Sequence, residues 1–144
     1  MLLGVKCIDT DHAASHLGKA IGLTTFIRSI PYNAQKRRVL IPTQLLVANK
    51  LSQESFIRVK EQEKIQEVVF QIASQAYSHY EKAKALVKSC KKDALPIFLS
   101  GAPSEIYLKR LQRKNFNPFD PSLSARYGLL PFHLYWRKLR KAYL

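Results

Sequence analysis

Apolar side chains recur at helical spacing along most of the chain, and no useful stretch alternates apolar and polar residues one by one. Ala13, Ala14, Leu17, Ala20, Ile21, Leu23, Phe26, Ile27 and Ile30 outline a first helix, with Asp9, Thr10 or Asp11 placed to cap it and Pro31 to end it. Residues 42–49 fit a short helix entered through Pro42. Ser52 caps another, because Gln53 and Glu54 then occupy its first turn. From 61 to about 89, Ile65, Val68, Val69, Ile72, Ala76, Tyr80, Ala83, Val87 and Cys90 form one stripe, while Lys64, Glu67, Gln71, Gln75, Lys82 and Lys88 take much of the remainder. Residues 94–99 are a short apolar segment. Residues 103–114 form a helix with Pro103 near its first position, Glu105 in its first turn, and Leu108 and Leu111 facing inward. The proline-rich stretch NFNPFDPSLSARYGLLP is expected to run irregularly before a last helix over 132–144. The pattern predicts an all-α bundle without repeats. Too few helices accompany the long one to enclose it, so 1–144 reads as the C-terminal part of a single larger helical domain, with apolar surface left exposed.

Composition sharpens the picture. The chain is 47% hydrophobic and 10% aromatic, which suits a packed core and excludes a disordered tail. It carries 24 Lys and Arg against 10 Asp and Glu, a formal charge of +14, so attraction to anions is built in. Nucleic acid, anionic lipid, an acidic protein or residence in a compartment of basic proteins all fit that charge. Two distant cysteines, Cys7 and Cys90, make neither a disulfide framework nor a zinc motif. No apolar run approaches the roughly 20 residues of a membrane span. The opening MLLGVKCIDTDHAASH contains acids, unlike a transit peptide, so no import signal is visible.

The segment AIGLTTFIRSIPYNAQKRRVLIP resembles the second metal-binding region of squalene and phytoene synthases. Ala20, Leu23, Thr24, Arg28, Arg38 and Pro42 agree without gaps, and Ile41 replaces a leucine. QAYSHYEKAKAL resembles a second helix of that family through Ala76, Tyr80, Ala83 and Leu86. DHAASHLGKAIGL, LSQESF, IASQA, PIFL and LLPFHLYWRKLRKAY resemble more closely the family's non-catalytic branch, the mitochondrial complex I assembly factor 6 proteins. The resemblance implies a partial isoprenoid-synthase-like bundle without a cofactor. It further implies a place on the matrix side of the mitochondrial inner membrane, peripheral contact with that membrane, and complex I subunits or other assembly factors as partners.

The family's enzymes hold Mg²⁺ through acidic clusters, because Mg²⁺ demands hard oxygen ligands in near-octahedral geometry. Ser29, Tyr32 and Asn33 stand where the family keeps Asp, Glu and Asp. At an effective dielectric of 20 a unit-charge pair at 4 Å is worth about 4 kcal/mol, and a divalent ion about doubles this. Each ~1.4 kcal/mol is a decade in rate, so losing three carboxylates removes many decades. Catalysis by this region is not expected, and a prenyl-diphosphate transferase becomes the weaker alternative. Arg28, Lys36, Arg37 and Arg38 are instead candidate direct ligands of an anion, with a solvated basic loop as the plainer reading.

His12 and His16 share a helix face with Asp9 and Asp11 nearby, but no third firm ligand follows, so helix-end packing is favoured over metal. His79 and His133 have no evident catalytic partner. Cys90 lies beside Lys88, Lys91 and Lys92 yet completes an apolar stripe, which favours packing over reactivity. In the last helix, Trp136 with Arg137, Lys138, Arg140 and Lys141 suits contact with an anionic membrane or a partner. The runs KRR, KKD and LKRLQRK keep nucleic-acid binding as an alternative, though no reader motif accompanies them.

Overall fold

The computed structural model describes residues 8–90, 92–125 and 127–144. Cys7 and Lys91 lie outside them. The elements are α1 (Ile8–Gln35), α2 (Thr43–Ala48), α3 (Gln53–Ile57), α4 (Gln62–Val87), a 3₁₀ helix (Lys92–Gly101), α5 (Ala102–Arg113), α6 (Pro121–Ser124) and α7 (Leu130–Leu139). Among the described residues there is no strand, and no helix is long and apolar enough to cross a membrane.

The frame is an antiparallel pair. α1 turns Ala13, Leu17, Ala20, Thr24, Ile27, Ile30 and Ala34 inward, and α4 answers with Ile65, Val68, Val69, Ile72, Ala76, Tyr80 and Ala83. The start of α1 packs with the end of α4, where Ala13, Leu17 and Ala20 meet Tyr80 and Ala83. The end of α1 packs with the start of α4, where Ile27 and Ile30 join Ile65, Val69 and Ile72. Alanines on both faces allow close approach, and the buried Thr24 hydroxyl is satisfied by donating to the Ala20 carbonyl at 2.7 Å. Ala14 of the expected stripe is exposed, and Ile21, Leu23 and Phe26 are half-buried at its edge. The packing of these fourteen residues outweighs helix propensity in holding the pair together.

Three boundaries differ from expectation. Pro31 does not end α1, which continues to Gln35. A proline withdraws one donor from the ladder, here the partner of the Ile27 carbonyl. Ile30 and Ala34 still extend the buried stripe across it, and the Asn33 amide donates to the Ser29 carbonyl at 2.9 Å. The expected irregular segment contains one helical turn, α6, because the Asp120 side chain accepts from the Ser122 N–H. α7 begins at Leu130, with Pro131 in its first turn, and stops at Leu139 rather than running to 144.

Five helices end in the same way. After α1, α2, α3, α5 and α7 the residue in the left-handed region is Arg37, Lys50, Val59, Asn115 and Lys141 respectively. Each is bracketed by the paired backbone bonds of a Schellman cap, such as Arg37 N–H to the Ala34 carbonyl and Arg38 N–H to the Asn33 carbonyl. Glycine is usual there, and three of these five residues are cations, which the negative carbonyl end of a helix favours.

Candidate functional site

The acid-free segment is helical where the resemblance places the old ligands. Ser29, Tyr32 and Asn33 all sit on the last turns of α1. The Ser29 hydroxyl donates to the Phe26 carbonyl at 2.8 Å, so it is turned onto its own helix. Tyr32 points outward, and its hydroxyl accepts from Lys36 Nζ at 2.5 Å. Ser29 and Asn33 border a cavity of about 10 Å³ shared with Arg38 and Phe56, room for one water at most. Two backbone-bound polar groups, a phenol beside a lysine and a neighbouring guanidinium do not fit Mg²⁺, which needs anionic oxygen. Among the described residues no cluster of three His, Cys, Asp or Glu is placed to hold a metal.

The four cations offered as an anion site reach separate neighbourhoods, with Arg38 at the small cavity beside Ser29 and Asn33. Arg28 lies over the ring of Tyr107 at 5.7 Å. Lys36 lies over Tyr32 at 4.3 Å. Arg37 pairs with Glu54 of α3 at 3.4 Å while remaining 73% exposed. Lys36 and Arg37 also terminate α1, and the carbonyl end of a helix attracts cations and repels anions.

A buried charged cluster replaces what the sequence placed at the surface. Glu105, from the first turn of α5, accepts from the Tyr80 hydroxyl at 2.9 Å, from Lys109 Nζ at 2.6 Å and from the Arg137 guanidinium. Side-chain exposure is 16% for Arg137 and 9% for Glu105. Arg137 is therefore turned into the fold, away from the membrane or partner face expected for it, because the inward side of α7 carries Leu130, His133, Leu134 and Arg137. His133 accepts from Arg137 Nε at 3.1 Å in one tautomer. Burial raises the Glu105 carboxyl, but hydrogen bonds from Lys109, Arg137 and Tyr80 more than reverse this and bring it down to about 2. Burial, followed by the Glu105 charge, pushes the Tyr80 phenol well above its ordinary range. In the sequence Glu105 marks only a helix start, and Tyr80 only an apolar stripe and a family-like helix. The available signal was the pair of i,i+4 spacings, Glu105–Lys109 and His133–Arg137.

The opposite side of α7 faces outward and is apolar. Phe132, Tyr135, Trp136 and Leu139 are 66%, 61%, 45% and 59% exposed, and the helix buries no residue fully. Phe132 stacks on Trp136 with ring centres 6.3 Å apart, and Arg140 lies over the same indole at 4.6 Å. Lys138 and Lys141 are exposed beside them. A second apolar surface is a groove of about 320 Å³ between α4 and α5, lined by Phe70, Ala73, Tyr77, Leu108 and Phe116.

The remaining candidates are placed differently from expectation. His16 meets His79 across α1 and α4, with Nδ1 atoms 2.9 Å apart, rather than His12 on its own helix. Burial, then His79, Lys19, Lys82 and His12, lowers the His16 pKa. Cys90 donates to the Leu86 carbonyl at 3.4 Å and packs at the α1–α4 end. Of the basic runs, Lys109 binds Glu105, Arg110 holds the Ser122 and Ala125 carbonyls, and Lys114 pairs with Asp120 at 3.5 Å. Those three are engaged within the fold rather than arrayed for phosphates.

The chain belongs to the squalene/phytoene synthase family, whose model matches residues 1–140. It is similar to the proteins named NADH dehydrogenase (ubiquinone) complex I, assembly factor 6, of Mus musculus and Homo sapiens, at 42% and 39% identity over 142 residues. Each match covers 99% of this chain and 43% of the relative. The Drosophila melanogaster homolog of that factor is 40% identical over 137 residues, covering 94% of this chain and 41% of its own length. The chain thus spans less than half the length of these curated relatives. No solved structure matches it.

Proposed function

We propose that this chain is part of a non-catalytic squalene/phytoene synthase-like protein that serves the assembly of respiratory complex I by binding. Its partners are complex I subunits or other assembly factors, and it works on the matrix side of the mitochondrial inner membrane in peripheral contact with it. Residues 1–144 form the C-terminal part of one helical domain. The relatives' shared name supports the assembly role. Ser29, Tyr32 and Asn33 at the motif positions support a pseudoenzyme, since none can supply a carboxylate.

The observation that carries the binding reading is the outward apolar stripe of α7. A helix that turns Phe132, Tyr135, Trp136 and Leu139 to solvent, beside Lys138, Arg140 and Lys141, has the make-up of a surface that something covers. The test is depletion of the whole protein from its own cells, with complex I followed by native electrophoresis. Loss of mature complex I with accumulation of subassemblies is expected, restored by the wild-type protein. Normal complex I in cells wholly lacking the protein would overturn the proposal.

A further inference from the structure

A cleft rimmed by lysines lies between the end of α4, the start of the 3₁₀ helix and the residues that follow α7, and encloses about 390 Å³. Lys84 and Lys88 reach it from α4 and its cap, Lys92 from the 3₁₀ helix and Lys141 from beyond α7. Among the described residues no Asp or Glu lines it, and all four lysines are exposed. Lys84 reaches Glu81 at 4.0 Å, whereas Lys88, Lys92 and Lys141 have no ion pair among the described residues. The carbonyl ends of α4 and α7 take back roughly half a charge each, and a terminal carboxylate on Leu144 would take another, so about two positive charges stay uncompensated. Cations gathered at one mouth repel one another until an anion joins them.

Beneath the lysines the wall is apolar and firm. Val87, Cys90, Tyr143 and Leu144 line the cleft and pack on the core formed by Leu17, Tyr80 and Phe98, and Leu95 completes the floor. Leu144 is seated so closely on Gly101 that a Cβ added there would lie 2.8 Å from its side chain. These floor residues are half-buried inside a concavity, so they do not enter a bilayer as the outward stripe of α7 can. One aromatic ring, Tyr143, in a cleft of this size does not make the stacking track of a nucleic-acid site. A peptide segment that sets a large apolar side chain between carboxylates matches both floor and rim.

We propose that this cleft docks an acidic segment of a partner protein. One leucine-like or phenylalanine-like side chain rests on the floor, and flanking carboxylates meet Lys88, Lys92 and Lys141. The proposal deepens the binding role proposed above and rests on it for its purpose. A failure of peptide binding would leave complex I assembly free to depend on the protein, so the two readings fail separately.

The test is fluorescence anisotropy of the full 144-residue chain with a fluorescein-labelled peptide of sequence Glu-Asp-Glu-Leu-Phe-Glu-Asp-Glu. Saturable binding is expected, at least about fivefold tighter than that of the same peptide with Gly-Gly at its centre. Lys88→Gln with Lys92→Gln should weaken it about tenfold or more, with unchanged circular dichroism. Lys60→Gln with Arg113→Gln, which removes the same net charge from exposed positions elsewhere, should change it less than about twofold. Absence of saturable binding, equal affinity for the Gly-Gly peptide, or equal losses in the two double variants would each overturn the proposal. So would displacement of the peptide by oligouridylate, or by anionic phospholipid vesicles that the Lys88→Gln, Lys92→Gln variant no longer binds, because the cleft would then serve a nucleic acid or a membrane.

Discussion

Arg137→Met removes the charge that clasps α7 to α5 while keeping the apolar stem. Glu105 would keep Lys109 and Tyr80 but lose its most buried cation. The descent of the Glu105 carboxyl from 4.5 to about 2 corresponds to about 3 kcal/mol of preference for the charged form in the fold. Stripping one partner from a fully buried pair costs about 3–5 kcal/mol. Arg137 is slightly exposed and Lys109 remains, so a loss of about 2–3 kcal/mol is expected. In urea at neutral pH that is a midpoint shift of about 1–2 M. The chain has one tryptophan, Trp136, and it sits on α7, so its fluorescence reports undocking directly. In the variant the Trp136 transition should precede the loss of circular dichroism, because α7 buries no residue fully and the clasp is its chief anchor. The sign with pH follows from a depressed carboxyl: its contribution is complete above pH 4.5 and is lost as pH falls towards about 2. Arg137→Met should flatten that acid limb. A midpoint within about 0.5 kcal/mol of wild type, with coincident transitions, would refute the clasp.

Further outcomes follow from other contacts. His16 resists protonation in the fold but not in the unfolded chain, so stability should fall as pH drops below 6.5; His16→Gln should remove that slope in urea titrations between pH 7.5 and 5.5. Val59→Gly should raise stability by about 0.5–1 kcal/mol, since a β-branched residue at φ 54 is strained where glycine is not; an unchanged or lower midpoint would contradict the cap reading. Ser52→Ala should cost about 1 kcal/mol by removing the bond from the Ser55 N–H to the Ser52 hydroxyl, read from the same urea curves. Vesicles containing anionic phospholipid should blue-shift Trp136 emission, and Phe132→Ser with Leu139→Ser should abolish the shift without altering circular dichroism; an undiminished shift would remove α7 from membrane contact.

Much of the helical frame was legible because it depends on periodicity. The stripe from Ile65 to Ala83 needed only spacing, and Ser52 and Pro42 marked helix starts through local chemistry. Pro31 misled because the cost of a missing N–H is local, whereas the burial of Ile30 that offsets it is contributed by α4 across the pair. Arg137 misled for a similar reason. A basic residue in an aromatic helix reads as surface until Glu105, 32 positions earlier, is brought under it. α7 in fact carries two stripes, and the more apolar one faces outward. The separation of Arg28 from Lys36, Arg37 and Arg38 was also invisible, since it depends on Tyr107 lying beneath one guanidinium and Glu54 beside another. Helix endings at Arg37, Lys50, Val59 and Lys141 carried no glycine to announce them.

The proposed lack of a metal site is open to direct measurement with Mn²⁺, a paramagnetic stand-in for Mg²⁺, followed by electron paramagnetic resonance in the presence of a prenyl diphosphate. With no carboxylate at Ser29, Tyr32 or Asn33, the free-ion signal should be unchanged by added protein beyond what the diphosphate alone removes. Protein-dependent loss of the free signal, reversed by Mg²⁺ and abolished in Ser29→Ala with Asn33→Ala, would contradict a scaffold that acts by binding alone.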